Sequence, residues 1–348
     1  MKRSKKRYWK RLFLFLLLLV LAVAAWIGYS AYRKIYHPFQ GYAKSVVVQI
    51  DSGMTVAAIA AKLQRQGIIA NAAYFTRYYR LFFSKKKLKA GEYLFDTPLT
   101  MRQVIQKLDL GKAILYKITV KEGLWIGETA QVFADAGLFS AGEFLRAAGN
   151  AKLIRDLDPQ AKDLEGYLFP DTYLVRKDIT ASDMAALMVE HFRQNFNNTF
   201  FWRARDINFS VRQAVTMASL IEKETANRDE RFLVSSVFHN RLKQNMLLDC
   251  DSTIVFALKK AGRYSGKLGW DDLKFPSTFN TRLHNGLPPG PIANPGYASL
   301  EAALYQENTE YLYFVAKDAD SHYFSRSLAE HNRAVRKFII DRKDIGLD

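Results

Sequence analysis

Two carboxylates close one apolar segment of this sequence. The segment Ser210-Val-Arg-Gln-Ala-Val-Thr-Met-Ala-Ser-Leu-Ile-Glu222-Lys223-Glu224-Thr225 opens on Ser210 with Gln213 three residues on. That is the pattern of a capping box, so a helix is predicted to start there. Val211, Ala214, Val215, Ala218 and Ile221 recur at helical spacing, and Met217 and Leu220 make much of the opposite side apolar. A helix apolar nearly all round is expected to be buried, and an unpaired charge at its end is costly. A desolvated Glu there would keep its proton to higher pH and act as a general acid near neutrality. The alternative is a helix that simply emerges into solvent at Glu222-Lys223-Glu224. At about 100° per residue, Glu222 falls on the main apolar stripe above Ala218, and Glu224 on the other side near Leu220 and Met217. Periodicity by itself therefore nominates Glu222.

Other chemistry-bearing groups are scattered. Glu165 and Asp171 lie in Leu164–Tyr173 (LEGYLFPDTY), an aromatic, Gly/Pro-punctuated stretch that reads as a loop or a short strand with turns. A structural turn with Asp171 capping locally is equally open. Asn280 and the Gly286–Gly296 loop are candidate groove walls, with a rigid Pro-Gly connection as the alternative for the loop. Asn240 and Arg241 are expected to orient other side chains. His239, His284, His322 and His331 show no metal-ligand spacing, so no metal site is expected.

The elements that must position these groups begin with an anchor. Leu12 to Tyr32 is an uncharged run of 21 residues, long enough as a helix to span a hydrocarbon core of about 30 Å. Trp26, Tyr29 and Tyr32 lie toward its far end, where aromatic rings suit the interface. Seven basic residues within 2–11 and no acids precede it, against Arg33 and Lys34 just after, which predicts a cytoplasmic N-terminus. A cleaved signal peptide would have a shorter apolar run and a small-residue cleavage site. Of the net charge of +17, residues 33–112 contribute +10 and the rest of the chain beyond them is neutral. Outside the cytoplasm, such a basic first half faces anionic lipid or an anionic wall polymer and makes nucleic acid an unexpected partner. Cys250 is the only cysteine, which rules out an intramolecular disulfide.

Beyond the anchor, residues 45–50 read as a strand and Asp51-Ser52-Gly53-Met54-Thr55 as a turn ending in a helix cap. Val56, Ile59, Ala60 and Leu63 predict a helix that Gly67 stops. A second helix is expected at Ala72–Phe83, a returning strand at Gly91–Phe95, and a helix at Met101–Leu108 closed by Gly111. This order resembles LysM-type modules, which bind N-acetylglucosamine-containing glycans; a small α+β spacer is the alternative. A strand at Tyr116–Val120 opens the second part. A helical stretch at Glu122–Leu145 and helices from Ser182 to Phe196 and from Ser210 follow. Tyr311–Ala316 and His322–Phe324 are expected as a hairpin, and Ser327–Ile340 as a closing helix.

Ala218-Ser-Leu-Ile-Glu-Lys-Glu-Thr225 closely resembles the helix of YceG-like endolytic murein transglycosylases. LEGYLFPDTY at 164–173, Val237-Phe-His-Asn-Arg-Leu242, Gly286–Gly296, YLYFVA at 311–316 and Glu330-His-Asn-Arg-Ala-Val335 match in the same order. The resemblance covers essentially the whole chain. It implies an α+β protein: basic tail 1–11, transmembrane helix 12–32, LysM-like domain 45–112 and catalytic domain 113–345. It implies an inner-membrane enzyme, N-terminus cytoplasmic and catalytic domain periplasmic. Its substrate would be peptidoglycan strands, cut after N-acetylmuramic acid to leave 1,6-anhydro ends, near the synthases and with effect on strand length. The catalytic acid would be the Glu followed by Thr, here Glu224, with Glu222 as rival. Substrate-binding candidates are Glu165, Asp171, Thr225, Asp251 and Asn280. No metal or organic cofactor is implied. A catalytically inactive glycan-binding scaffold, and a hydrolase pairing Glu224 with Glu165 or Asp171, remain the alternatives. Two stretches depart from the family pattern. Asp249-Cys250-Asp251-Ser252-Thr253 stands where Gln-(Ser/Thr)-Asp-Pro-Thr is usual, and Phe279-Asn280-Thr281-Arg282 where Tyr-Asn-Thr-Tyr is usual.

Overall fold

The structure, a computed structural model, describes residues 2–318 and 321–341, with side chains from residue 9 onward. Met1 and residues 342–345 of the expected segments lie outside the described residues. The fold is mixed α+β, rich in helix, with small two-stranded sheets. The chain divides into two compact units, one of residues 1–116 and 174–178, the other of 117–173 and 179–348.

The first unit opens with helix α1 (Lys2–Tyr36), whose Trp9–Tyr36 portion is, among the described residues, the one helix long and apolar enough to cross a membrane. Strand β1 (Val46–Ile50), helices α2 (Val56–Arg65) and α3 (Ala72–Phe82), strand β2 (Gly91–Phe95) and helix α4 (Met101–Leu110) follow. β1 and β2 pair antiparallel with Val48 opposite Tyr93. The caps are those the sequence suggests or permits. Thr55 accepts from the Ala58 N–H, Asn71 from Tyr74, and Thr100 forms a full capping box with Gln103. Ile50, Ile59, Leu63, Phe75, Tyr93 and Val104 meet in one core. This is the hydrophobic burial that holds strands too short to stand alone.

In the second unit, β3 (Tyr116–Thr119) begins in the first unit and runs into this one, and is followed by α5 (Ile126–Asp135) and α6 (Ala141–Ala148). The helical stretch expected over 122–145 is thus broken. Gly137 takes a left-handed φ of +67°, and Ser140 restarts the helix in a capping box with Glu143. β4 (Thr172–Val175) pairs with β3. Helices α7 (Ala181–Asn195), α8 (Asn198–Asp206), α9 (Val211–Glu224), α10 (Arg231–Lys243), α11 (Asp251–Lys260) and α12 (Tyr297–Leu304) come next. The hairpin of β5 (Tyr313–Ala316) and β6 (His322–Ser325) precedes α13 (Leu328–Val335), which ends in a π turn over Arg336–Ile340. α9 is the hub: α8, α10, α11 and α12 all pack on it, and Val211 and every residue from Ala214 to Ile221 are buried. The apolar encirclement read from its sequence is therefore answered by neighbours on all sides.

Gly67 marks where the first unit tolerates least change. Its φ is +72°, and a Cβ there would lie 2.6 Å from the Gly41 carbonyl oxygen, whose own N–H donates to the Gly67 carbonyl at 2.8 Å. Gly67→Ala is expected to cost about 1–3 kcal/mol from the left-handed backbone and the clash together. Thermal unfolding of the detergent-solubilised chain checks this; an unchanged melting curve would contradict it.

Candidate active site

α9 carries two carboxylates from its capped start to a packed end. Ser210 accepts from the Gln213 N–H at 3.2 Å and Gln213 Oε1 accepts from the Ser210 N–H at 2.9 Å. At the other end Thr225 leaves the helix in extended conformation, and its buried hydroxyl accepts from the Asn227 N–H at 3.1 Å. The last turn does not emerge freely into solvent. Lys223 is exposed, but the carboxylates on either side of it are each held by protein.

The two acids have different partners. Glu222 Oε1 accepts from Arg231 Nη2 at 3.0 Å and Oε2 from the Gly296 N–H at 3.0 Å. The side chains of Glu222 and Arg231 are 5% and 4% exposed, which makes this a buried ion pair that needs both members. Among the described residues no cation is bonded to Glu224. Its one hydrogen bond among the described residues comes from Ser252 Oγ, which donates to Oε1 at 2.7 Å. Burial pushes the Glu224 carboxyl above the ordinary range; the Ser252 bond pulls it down, Asp251 and Asp249 push it up, and His322 pulls it down.

These neighbours are themselves fixed. Arg282 reaches Asp251 at 2.9 Å and Asp249 at 3.3 Å, so both positions of family departure meet in one clamp. Cys250 donates its N–H to Thr281 Oγ1 at 2.9 Å, and Asp249 its N–H to the Thr281 carbonyl at 3.2 Å. His322, delivered by β6, is held through its backbone N–H and Nδ1 by Glu230 at 2.8 and 2.7 Å. A small cleft runs beside Ser252, lined by Gly123, Trp125, Lys223, Phe256 and Ile292. Trp125 and Phe256 meet edge to face there, and Lys223 Nζ donates to the Gly123 carbonyl at 3.1 Å.

The remaining sequence candidates are placed as follows. Asp251 and Thr225 lie with Glu224. Asn280 is fully buried and spends its amide on the Leu273 and Phe275 carbonyls and the Arg282 N–H. Asp171 is bound to the Thr172 N–H and to His191 at 3.1 Å. Glu165 is buried, its two oxygens 3.2 and 3.1 Å from the Ile126 N–H at the start of α5. Desolvation outweighs that bond and pushes its carboxyl up to about 8. In the Gly286–Gly296 loop, Ile292 lines the cleft and Asn294 accepts from the Gly166 and Leu168 N–H groups at 3.0 Å each. Asn240 and Arg241 bind backbone carbonyls rather than side chains: those of Thr309 and Tyr311, and those of Leu312 and Leu248. Arg231 and Glu230 carry no sequence signal, and neither Ser252 nor His322 stands out in the sequence as a site residue. Ser252 was visible as a departure, whereas His322 and Arg231 matter through contacts that no local pattern encodes.

The profile of the YceG-like family matches residues 48–337, and the chain belongs to that family. An endolytic murein transglycosylase of Bacillus subtilis (strain 168) is 32% identical over 329 residues, covering 90% of each chain. One from Streptococcus pneumoniae serotype 2 is 27% identical over 353 residues, 92% of this chain but 64% of that one. The crystal structure of a yceG-like protein from Listeria monocytogenes aligns with a TM-score of 0.58 at 32% identity, over 83% of this chain and 98% of that one.

Glu165 yields a stability test. Its folded pKa lies above the ordinary carboxyl value of 4.5, so its contribution is fully present below that value and is lost as pH rises toward about 8. Glu165→Gln keeps the neutral shape. It is expected to stabilise the protein at pH 8, by on the order of 5 kcal/mol at most, and to flatten the loss between pH 5 and about 8. Denaturant titrations across that range check it; a variant less stable than wild type at pH 8 would contradict it.

Proposed function

We propose that the protein is an endolytic lytic transglycosylase that cuts peptidoglycan glycan strands after N-acetylmuramic acid. Membership of the YceG-like family and the relatives named endolytic murein transglycosylase support the reaction class. The observation that carries the assignment of the acid is the contrast at the end of α9. Glu222 is locked to Arg231 and the Gly296 N–H, while Glu224 is desolvated, pushed up in pKa and held by one hydroxyl.

A protonated Glu224 gives its proton to the glycosidic oxygen as the bond from that oxygen to C1 breaks. The resulting carboxylate takes the proton of the substrate's own C6 hydroxyl as O6 bonds to C1. The proton returns to Glu224, no water is consumed, and the new end is a 1,6-anhydro sugar. One carboxyl suffices, in contrast to the acid and nucleophile pair of ordinary glycosidases. The carboxylates that act on Glu224 are Asp251 and Asp249, and Arg282 holds both. Glu165 and Asp171 are engaged with Ile126 and His191, which favours the single-carboxyl route over a hydrolase built on either of them. The long apolar helix α1 serves as a single-pass anchor with its N-terminus in the cytoplasm, and the rest lies outside. The β-α-α-β part of the first unit is a LysM-like glycan-binding module, and action near the synthases limits the length of growing strands.

Digestion of purified glycan strands, read by mass spectrometry, tests this. Wild type and Glu222→Gln should release internal fragments with 1,6-anhydro ends. Glu224→Gln should lose activity by about 10²–10⁴-fold. Glu222→Gln should instead lower stability by up to about 3 kcal/mol, because the buried Arg231 loses its nearer carboxylate and keeps Glu122 at 3.6 Å. Fragments heavier by one water would make the reaction a hydrolysis, and no cleavage by folded wild type would support a binding scaffold.

A further inference from the structure

The geometry points to Ser252 as the positioning residue of the reaction: its hydroxyl holds Oε1 of Glu224 so that Oε2 is the oxygen that carries and returns the proton. The inference rests on Glu224 being the acid. It goes beyond what the resemblance implies, because the pattern resembled has Pro at this position, which has no hydroxyl to donate.

Three features support it. Ser252 Oγ lies 2.7 Å from Glu224 Oε1, the short distance of a hydroxyl donating to a carboxylate. Its place is set by structure on both sides. Ser252 is the second residue of α11, and the turn before it is pinned by the bonds of Thr281 to Asp249 and Cys250. Thr253, the next residue, donates its hydroxyl to the Cys250 carbonyl at 2.6 Å and meets the Thr281 hydroxyl at 3.1 Å. Ser252 also lines the small cleft with Trp125 and Phe256, so the residue that bonds Glu224 also borders that cleft.

The surrounding charges show why such a donor matters here. Asp251 and Asp249 face Glu224 from the start of α11 and the turn before it, and His322 faces it from β6. Arg282 neutralises the two aspartates, and Glu230 binds His322. With these groups paired to one another, Ser252 is the direct contact that steadies the carboxylate formed when Glu224 releases its proton. Rotation of an unheld carboxyl would exchange its oxygens and misplace the proton; a single bond to Oε1 prevents that exchange while leaving Oε2 uncommitted.

The test is the pH dependence of kcat/KM for the full-length protein in detergent, on purified glycan strands. Wild type, Ser252→Ala, Ser252→Thr and Glu224→Gln are compared, with unfolding curves to establish that each is folded. A protonated acid is active below its pKa, and the Ser252 bond lowers that pKa. Ser252→Ala should therefore move the high-pH limb upward by about one pH unit and reduce kcat about tenfold. Ser252→Thr, which keeps a hydroxyl, should restore both. A structural role alone would lower activity without moving the limb, and an unmoved limb in Ser252→Ala overturns the inference. If Glu224→Gln is inactive and the limb is unmoved, Ser252 fails alone. If Glu224→Gln stays active, the acid assignment fails and takes the role of Ser252 with it.

Discussion

Removal of the Glu224 carboxyl from water is the constraint around which the second unit is organised. A carboxylate in a low-dielectric setting without a cation favours its protonated form, and only an extensive packed surround keeps water away. α9 supplies that surround by being enclosed by α8, α10, α11 and α12. The same enclosure would be costly for Glu222 two residues earlier were it not for Arg231 and the Gly296 N–H. One helix end thus holds two carboxyls in different surroundings, one against a guanidinium and one against a hydroxyl. The difference comes from what the neighbouring elements bring to each.

Much of the first unit was legible in the sequence because its signals are local. Thr55, Gly67 and Gly111 are a cap and two stops whose chemistry acts within one turn, and the apolar spacing between them is regular. In the second unit the capping box at Ser210 was equally plain. The break at Gly137 was not read, since apolar residues continue at helical spacing on both sides of it. α8, α11 and α12 were missed because each is short and settled by packing rather than by a strong pattern of its own.

The site was half legible. Periodicity ranked Glu222 above Glu224 because Glu222 continues the buried stripe, and Glu222 is indeed buried; but burial on that face ends in an ion pair with α10. Periodicity within α9 carries no information about Arg231, Ser252 or His322, which arrive from other elements. The departures from the family pattern were visible as single residues. Only the folded arrangement brings Asp249, Asp251 and Arg282 into one clamp and turns Ser252 toward the carboxyl.

The most direct measurement is an infrared pH titration of the protonated-carboxyl stretch in the folded protein, comparing wild type with Glu224→Gln, Glu222→Gln and Glu165→Gln. A protonated-carboxyl band that persists above the ordinary carboxylate range and disappears in Glu224→Gln, besides the separate band lost in Glu165→Gln, is the result this account predicts. A band lost in Glu222→Gln instead, or a Glu224 carboxyl that ionises near 4.5 like an exposed glutamate, would contradict it.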